Sequence, residues 1–329
     1  MTRLLLDNVG KTFRAGFLFG RHKTEAVRDV TLEVRSGETV GILGESGSGK
    51  STLVRLAAFL LRPTTGSVTL DGVDPWRLAA SARRQLRRRL QVVFQEGSDG
   101  LDPRQSVAEA VGEPLVNFGT PAKERAALVA DALQEVGLTP ELAGRYPFQL
   151  SGGQRQRVGV ARALVLQPEL VMLDEPVSAL DVSVAAQVLN LLADLQERRG
   201  VGYLLITHEL PVVRYLADRV AVMFAGRVVE AGPAGEVLTR PAHPYTAAMR
   251  AAALTVDPGA GLPALPAVAP PAAHGCPYAS RCPAVMPRCR VETPPPFEVG
   301  SGRTTRCFLF ESAGVRAEPT SHTPAALAT

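Results

Sequence analysis

The sequence predicts an α/β fold built on a parallel sheet, and three stretches predict it. Thr39–Leu43 reads as a short buried strand, followed by a glycine-rich turn and then Leu53, Leu56, Ala57, Leu60 and Leu61 at helical spacing. Residues 170–173 (Leu-Val-Met-Leu) are an uninterrupted apolar run of strand length, as expected of a strand covered on both faces. Residues 203–206 (Tyr-Leu-Leu-Ile) form a further strand. Each run gives way to polar or glycine-rich chain: the glycine-rich turn, Asp174-Glu175, and Thr207-His208. Open parallel sheets bind ligands outside the carboxyl ends of their strands.

The glycine-rich turn is Gly44-Glu45-Ser46-Gly47-Ser48-Gly49-Lys50-Ser51-Thr52. It fits the phosphate-loop pattern of Gly, four residues, Gly-Lys, then Ser or Thr. Strand, glycine loop and helix aim a row of backbone N–H groups at one point, at the positive end of a helix dipole. Glycine lets the backbone approach a phosphate without a Cβ in the way. Lys50 is then placed to reach the β- and γ-phosphates and Ser51 to ligate Mg²⁺.

The 329 residues suffice for one large core plus a smaller appended unit. A net charge of +4 is too small, and too evenly interspersed with acids, for a nucleic-acid footprint. The one dense basic run, Arg83-Arg84 with Arg87-Arg88-Arg89, reads as a solvated helix face. No run approaches 18 apolar residues and the amino end carries no export signal, so a cytosolic chain with reduced thiols is expected.

Along the chain, residues 4–6 and 9–13 read as strand, leading into a loop over residues 14–24 that follows Phe13. Phe13 is an aromatic that can stack on adenine or simply fill the core. Residues 26–34 alternate as a strand, and Ser67 to Leu70 form another, with a tight turn at Asp71-Gly72. A basic helix over residues 81–90 leads to a strand at 91–94 ended by Gln95. Residues 106–145 are mostly helical by pattern. Leu150-Ser151-Gly152-Gly153-Gln154 then enters a helix expected over residues 158–166, a second anion-binding helix start or a plain cap. Asp174 is placed to hold Mg²⁺, and Glu175 to activate water. A loop, Ser178-Ala179-Leu180-Asp181, precedes a helix through Arg198. His208 ends a strand in the same crevice as Asp174. Residues 219–224 and 227–230 flank Gly226 as a closing hairpin, and a short helix starts at His243-Pro244-Tyr245-Thr246. Residues 258–273 are mostly Pro, Ala and Gly.

Taken together these motifs resemble the ATP-binding subunits of ABC transporters, in order and spacing, over residues 4–254. Residues 243–246, the segment near Leu101-Asp102-Pro103-Arg104, Asp181-Val182-Ser183 and the cysteine-containing tail resemble one branch, the ATPases of oligopeptide/dipeptide importers. Nickel importers share that branch. The resemblance implies a P-loop NTPase of ABC type, with a RecA-like core plus antiparallel β and α-helical subdomains and a small Cys-containing C-terminal extension. It implies an ATP-binding domain over residues 1–254 with a helical subdomain at about 96–160, a Pro/Ala linker at 255–273, the Cys-containing region at 274–310 and a disordered tail at 311–329. It implies that two subunits bind ATP and Mg²⁺ head to tail, each ATP between one subunit's phosphate loop and the other's Ser151-Gly152-Gly153-Gln154. Phe13 would stack adenine, Ser51, Gln95 and Asp174 would serve the metal, and Glu175, His208 and Lys50 would be catalytic. Asp181, at the end of the Ser178 to Asp181 loop, would be among the nucleotide-binding residues. The expected partners are a second, homologous ATPase subunit, two permease membrane subunits and an extracytoplasmic substrate-binding protein, at the cytoplasmic face of the membrane, with no nucleic acid. A nucleic-acid-linked ABC ATPase is the rival reading, and the single cassette without heptads argues against it. Residues 96–103 depart from the branch, which usually has Asp-Pro, an aromatic, a small residue and Ser-Leu-Asn-Pro. Val177 stands where Thr is common.

Cys276, Cys282, Cys289 and Cys307 are separated by five, six and seventeen residues. The cytosol disfavours disulfides. Structural zinc usually draws ligands as close pairs, absent here. A [4Fe–4S] cluster also takes four thiolates and is the preferred reading, with zinc as the alternative and four unliganded thiols the remaining one.

Overall fold

The structure is a computed structural model that describes residues 1–15, 22–94, 100–254, 270–272, 274–300 and 302–312. Gln95 and the residues after it to Asp99, most of the 14–24 loop, most of the 255–273 linker and the tail beyond residue 312 lie outside the described residues. Contacts divide the chain into two units, Met1–Val228 and Val229–Thr329.

In the first unit, β1 (Arg3–Ala15) pairs antiparallel with β2 (His22–Arg35). β3 (Thr39–Leu43) comes next, then α1 (Lys50–Ala57) and β4 (Thr65–Leu70), which pairs with the other edge of β1. Leu4 and Leu6 face Val34, Leu32, Leu70 and Val68 across these ladders, and all but the slightly open Leu32 are fully buried. Each such aliphatic side chain contributes about 1.5–3 kcal/mol. β1 is one continuous strand, as the sequence suggested. Its register shifts between Leu6 and Val9, and Asn8 takes φ 51° there, so the alternation breaks while the strand continues. Asp71 and Gly72, both at positive φ, close the turn after β4.

α2 (Ala80–Arg88) buries no residue, in accord with a solvated basic face. Its Arg83 guanidinium lies 5.1 Å from the Trp76 ring centre, and Arg84 lies 5.5 Å from that of Phe118. β5 (Leu90–Val93) leads on to α3 (Val107–Asn117), α4 (Ala122–Glu135) and α5 (Gly152–Leu164), which pack on one another. β6 (Leu170–Asp174), α6 (Val182–Arg199), β7 (Gly202–Thr207), α7 (Leu210–Leu216) and β8 (Arg219–Phe224) complete the unit. Its second sheet runs β8-β3-β7-β6-β5, all parallel. Every residue of β3, β6 and β7 is buried, which explains why those runs are apolar without alternation. The register sets Leu43 beside Thr207 and Asp174 beside Ile206, so three neighbouring strands end together.

α5 starts six residues before the expected helix. Gly152, Gly153 and four polar residues hide its beginning from periodicity. Ser151 caps it, accepting from the Gln154 N–H at 3.3 Å, while Gln154 Oε1 accepts from the Ser151 N–H at 2.9 Å.

The second unit holds most of β9 (Arg227–Pro233), α8 (Ala234–Thr239) and α9 (Pro244–Leu254), then β10 (Phe297–Glu298) and β11 (Thr304–Thr305). β11 pairs with both β10 and β9. The fully buried Glu230 accepts from Arg303 at 2.7 Å and from the N–H groups of Ala242 and His243 at 2.8 and 2.9 Å. That ties the approach to α9 onto the β9–β11 ladder.

Candidate functional site

The turn after β3 wraps tightly. Gly44 and Gly49 tolerate no side chain: an added Cβ would lie 2.2 Å from the Met223 carbonyl oxygen and 2.2 Å from that of Ala26, and Gly49 takes φ 103°. The Gly226 N–H donates to the Ser48 carbonyl at 2.9 Å. Glu45, Ser46 and Gly47 form the exposed lip, and no side chain caps α1. The first N–H groups of α1 are therefore left for an anion. Lys50 is buried, and its Nζ donates to the carbonyls of Gly44 at 2.7 Å and Glu45 at 2.9 Å. Burial lowers its pKa, against the charges of Glu175, Asp174 and Glu45.

Asp174, the last residue of β6, has its pKa raised by burial and by neighbouring Glu175, while Arg55, Lys50 and a bond from the Ser51 hydroxyl oppose the rise. Its buried Oδ1 has no hydrogen-bond partner, and neither has the buried Ser48 hydroxyl. An orphaned carboxylate oxygen beside a Ser51 hydroxyl suits a Mg²⁺ ion, which takes few protein ligands and completes its shell from water and phosphate. Glu175 takes φ 49°, and its N–H donates to the Ile206 carbonyl at 2.9 Å. Its carboxylate Oε1 lies 3.1 Å from His208 Nδ1. The loop, the acidic pair and His208 thus meet at the carboxyl ends of β3, β6 and β7.

Three other expected residues lie on separate elements. Phe13, on β1, is 40% exposed, with Lys11 Nζ 5.5 Å from its ring centre. Asp181 caps α6, accepting from the Val184 N–H at 2.9 Å and the Ser183 hydroxyl at 2.7 Å, and those bonds lower its pKa. The Ser151 turn packs on α6: a Cβ on Gly153 would lie 2.3 Å from Val184 Cγ1. α5 rests on α3, α4, α6 and β5, whereas α1 rests on β1, β2, β6 and β7. The uncapped start of α1 and the Ser151-capped start of α5 thus belong to helices whose main packing partners differ. Sequence reasoning missed the wall of the loop, made by backbone at Ala26, Met223 and Gly226, because carbonyl positions leave no residue-type signal. It also missed Arg55, whose periodicity marked only an exposed helix position.

In the second unit, all four cysteines line one enclosed space of about 10 Å³, with His243, Tyr278 and Phe308 also on its wall. Burial raises the Cys276 and Cys282 pKa values and lifts that of Cys307 to about 11. The donor set suits soft metals. The space has room for about one water, and among the described residues no group of three or more His, Cys, Asp or Glu is arranged to hold a metal ion. The iron–sulfur and zinc expectations gain no support from it.

Residues 27–178 match the ABC transporter family, and residues 229–289 match the oligopeptide/dipeptide transporter C-terminal region. A peptide ABC transporter ATP-binding protein of Sinorhizobium fredii is 46% identical over 86% of this chain and 82% of its own length. An oligopeptide transport ATP-binding protein of Bacillus subtilis is 41% identical over 95% and 98%. A di/tripeptide transport ATP-binding protein of Pseudomonas aeruginosa is 42% identical over 85% and 88%. Among solved structures, a dimeric ATP-binding cassette in a post-hydrolysis state with ADP and phosphate aligns with TM-score 0.63 at 33% identity, covering 70% of this chain and 98% of its own.

Proposed function

The chain belongs to the ATP-binding subunits of ABC transporters, and from that premise we propose how its residues turn ATP hydrolysis into peptide import. It is an ATPase of the peptide-importer branch, working as a cassette dimer on a membrane permease. No helix among the described residues is long and apolar enough to cross a membrane, so the contact with the membrane runs through that permease, here assigned to the cytoplasmic face. The observation that carries the reading is the convergence of Lys50, Asp174, Glu175 and His208 at the ends of three adjacent strands.

In this reading, Lys50 exchanges the Gly44 and Glu45 carbonyls for the β- and γ-phosphates, and the N–H groups of residues 47–52 hold the phosphate chain. Phe13 stacks the adenine. Ser51 and Asp174 hold Mg²⁺, together with Gln95, and the ion supplies charge neutralisation at the phosphates. Glu175 takes the proton of the attacking water, and His208, held at Glu175 Oε1, donates to the γ-phosphate. Ser151, Gly152, Gly153 and Gln154 meet the γ-phosphate bound by the partner subunit, with Asp181 at the same interface. Lys50→Ala should weaken nucleotide binding. Glu175→Gln should retain binding and lose turnover by at least about 100-fold, leaving an ATP-locked dimer. Undiminished hydrolysis in that variant removes Glu175 as the base.

The partner is assigned as a homologous ATPase, on a permease of two different subunits served by an extracytoplasmic binding protein. Full permease-coupled transport by this chain alone would overturn that assignment. Copurifying the binding protein and identifying its cargo names the solute.

For the four cysteines the reading put to test is a [4Fe–4S] cluster of structural role: four thiols line one space, but that space of about 10 Å³ is too small for a cluster and would have to widen to take one. Anaerobic purification should give a brown protein with about four iron per chain, lost on Cys→Ser at any of the four. A colourless preparation with stoichiometric zinc decides for zinc, and one with neither metal for free thiols.

A further inference from the structure

Two aromatic rings stand in solvent immediately before the Ser151 turn. Phe148 is 72% exposed and Tyr146 40%. The rings stack nearly parallel, 5.8 Å between centres and 13° between planes. Lone apolar side chains at the surface are ordinary, but this pair is held rigidly. Phe148 lies in a single 3₁₀ turn, Pro147–Gln149, between buried Pro147 and Leu150. Gln149 Oε1 accepts from the Tyr146 N–H at 2.9 Å, and the Gln149 N–H donates to the Tyr146 carbonyl at 2.9 Å. Pro147 fixes the backbone entering the turn. The result is a flat, pre-organised apolar surface that stays largely exposed at Phe148 among the described residues.

We propose that the Tyr146–Phe148 pair is a base-stacking surface for the ATP held by the partner subunit, with Phe148 lying on the face of the adenine that the partner's own aromatic leaves open. The inference rests on the proposed function, in which the Ser151 turn meets the γ-phosphate across the dimer. Ser151 is three positions after Phe148, a chain reach of about 10 Å at most, which is comparable with the span from a nucleotide's γ-phosphate to its base. When the start of α5 addresses the phosphate end, the rings are within reach of the base. The base is the only part of ATP with a flat apolar face, and ring stacking is tolerant of exact placement. The pair would thus contribute to ATP-driven closure, and little to the affinity of a lone subunit, which stacks its base on Phe13.

The test uses the full chain carrying Glu175→Gln, mixed with its partner ATPase, and reads dimer assembly against ATP concentration. Phe148→Ala should raise the ATP needed for half-assembly about fivefold or more, and Phe148→Tyr should restore it. Affinity of the isolated chain for a fluorescent ATP analogue should not change, since the exposed ring takes no part there. In a chain whose own loop is disabled by Lys50→Ala, an azido-adenine ATP bound by the partner should still label the peptide containing Tyr146 and Phe148. Assembly of Phe148→Ala at wild-type ATP levels, or weakened binding by the isolated chain, overturns the inference. Absence of any ATP-dependent dimer in the Glu175→Gln chain overturns the across-dimer reading itself, and this inference with it.

Discussion

Burial and the neighbouring Glu175 both raise the pKa of the Asp174 carboxyl. A carboxyl whose folded pKa is raised binds its proton more tightly folded than unfolded. The stability it contributes is complete below the unfolded value, near pH 4, and is lost as pH rises through the folded one. Asp174→Asn should therefore raise the melting temperature of the nucleotide-free chain at neutral pH and flatten its decline above about pH 4, while abolishing Mg²⁺-dependent hydrolysis. Calorimetry over pH, with and without Mg²⁺-ADP, checks both halves: the wild type should gain stability from the metal nucleotide and the variant should not. A variant that melts lower than wild type at pH 7 would show that the carboxylate is satisfied by partners other than a metal. The residue type at position 174 was legible from its place after an apolar strand. The orphaned Oδ1 was not, since it depends on how closely Arg55, Lys50 and Ser51 approach.

Two helices carry the same start, which separates capping from ligand binding. Ser106 begins α3 with Glu109 as reciprocal partner, and Ser151 begins α5 with Gln154. Removing either hydroxyl should cost about 1 kcal/mol of stability. Ser106→Ala should stop there, with ATP turnover unchanged. Ser151→Ala should lose the same stability and, in addition, slow turnover in the assembled pair. Equal turnover in the two variants, measured beside their urea midpoints, would reduce the Ser151 turn to a structural cap. At this scale the sequence was readable wherever one period held. β3, β6 and β7 are uniformly apolar because both faces are covered, and their limits shifted by no more than a residue or so. α5 was read too short because its first turn is built of glycine and polar side chains. Gly153 is there for packing against Val184, a contact some thirty residues distant that no local pattern reports.

On the scale of the whole molecule, the order of motifs revealed the cassette and its branch, because a phosphate loop, a signature turn and an acidic strand end are local strings. The boundary at Val228/Val229 was not legible: it falls inside β9, whose later residues pair with β11, more than seventy positions downstream. Nor could the sequence say that four thiols separated by up to seventeen residues line one small space. Packing sets one whole-molecule expectation. Within the same unit, α1 rests mainly on β1, β2, β6 and β7, and α5 mainly on α3, α4, α6 and β5. If each ATP needs both the glycine-rich loop before α1 and the Ser151 turn before α5, a lone subunit holds two half-sites, and hydrolysis must scale with the population of dimers. Specific activity per chain should then rise with protein concentration at saturating ATP, doubling for each doubling while dimers are scarce, and level off once the partner ATPase is in excess. Glu175→Gln should show the same concentration dependence in ATP-driven assembly by light scattering, without turnover. A specific activity that stays constant on dilution, with only monomer present at every ATP level, would mean that one chain completes the site by itself.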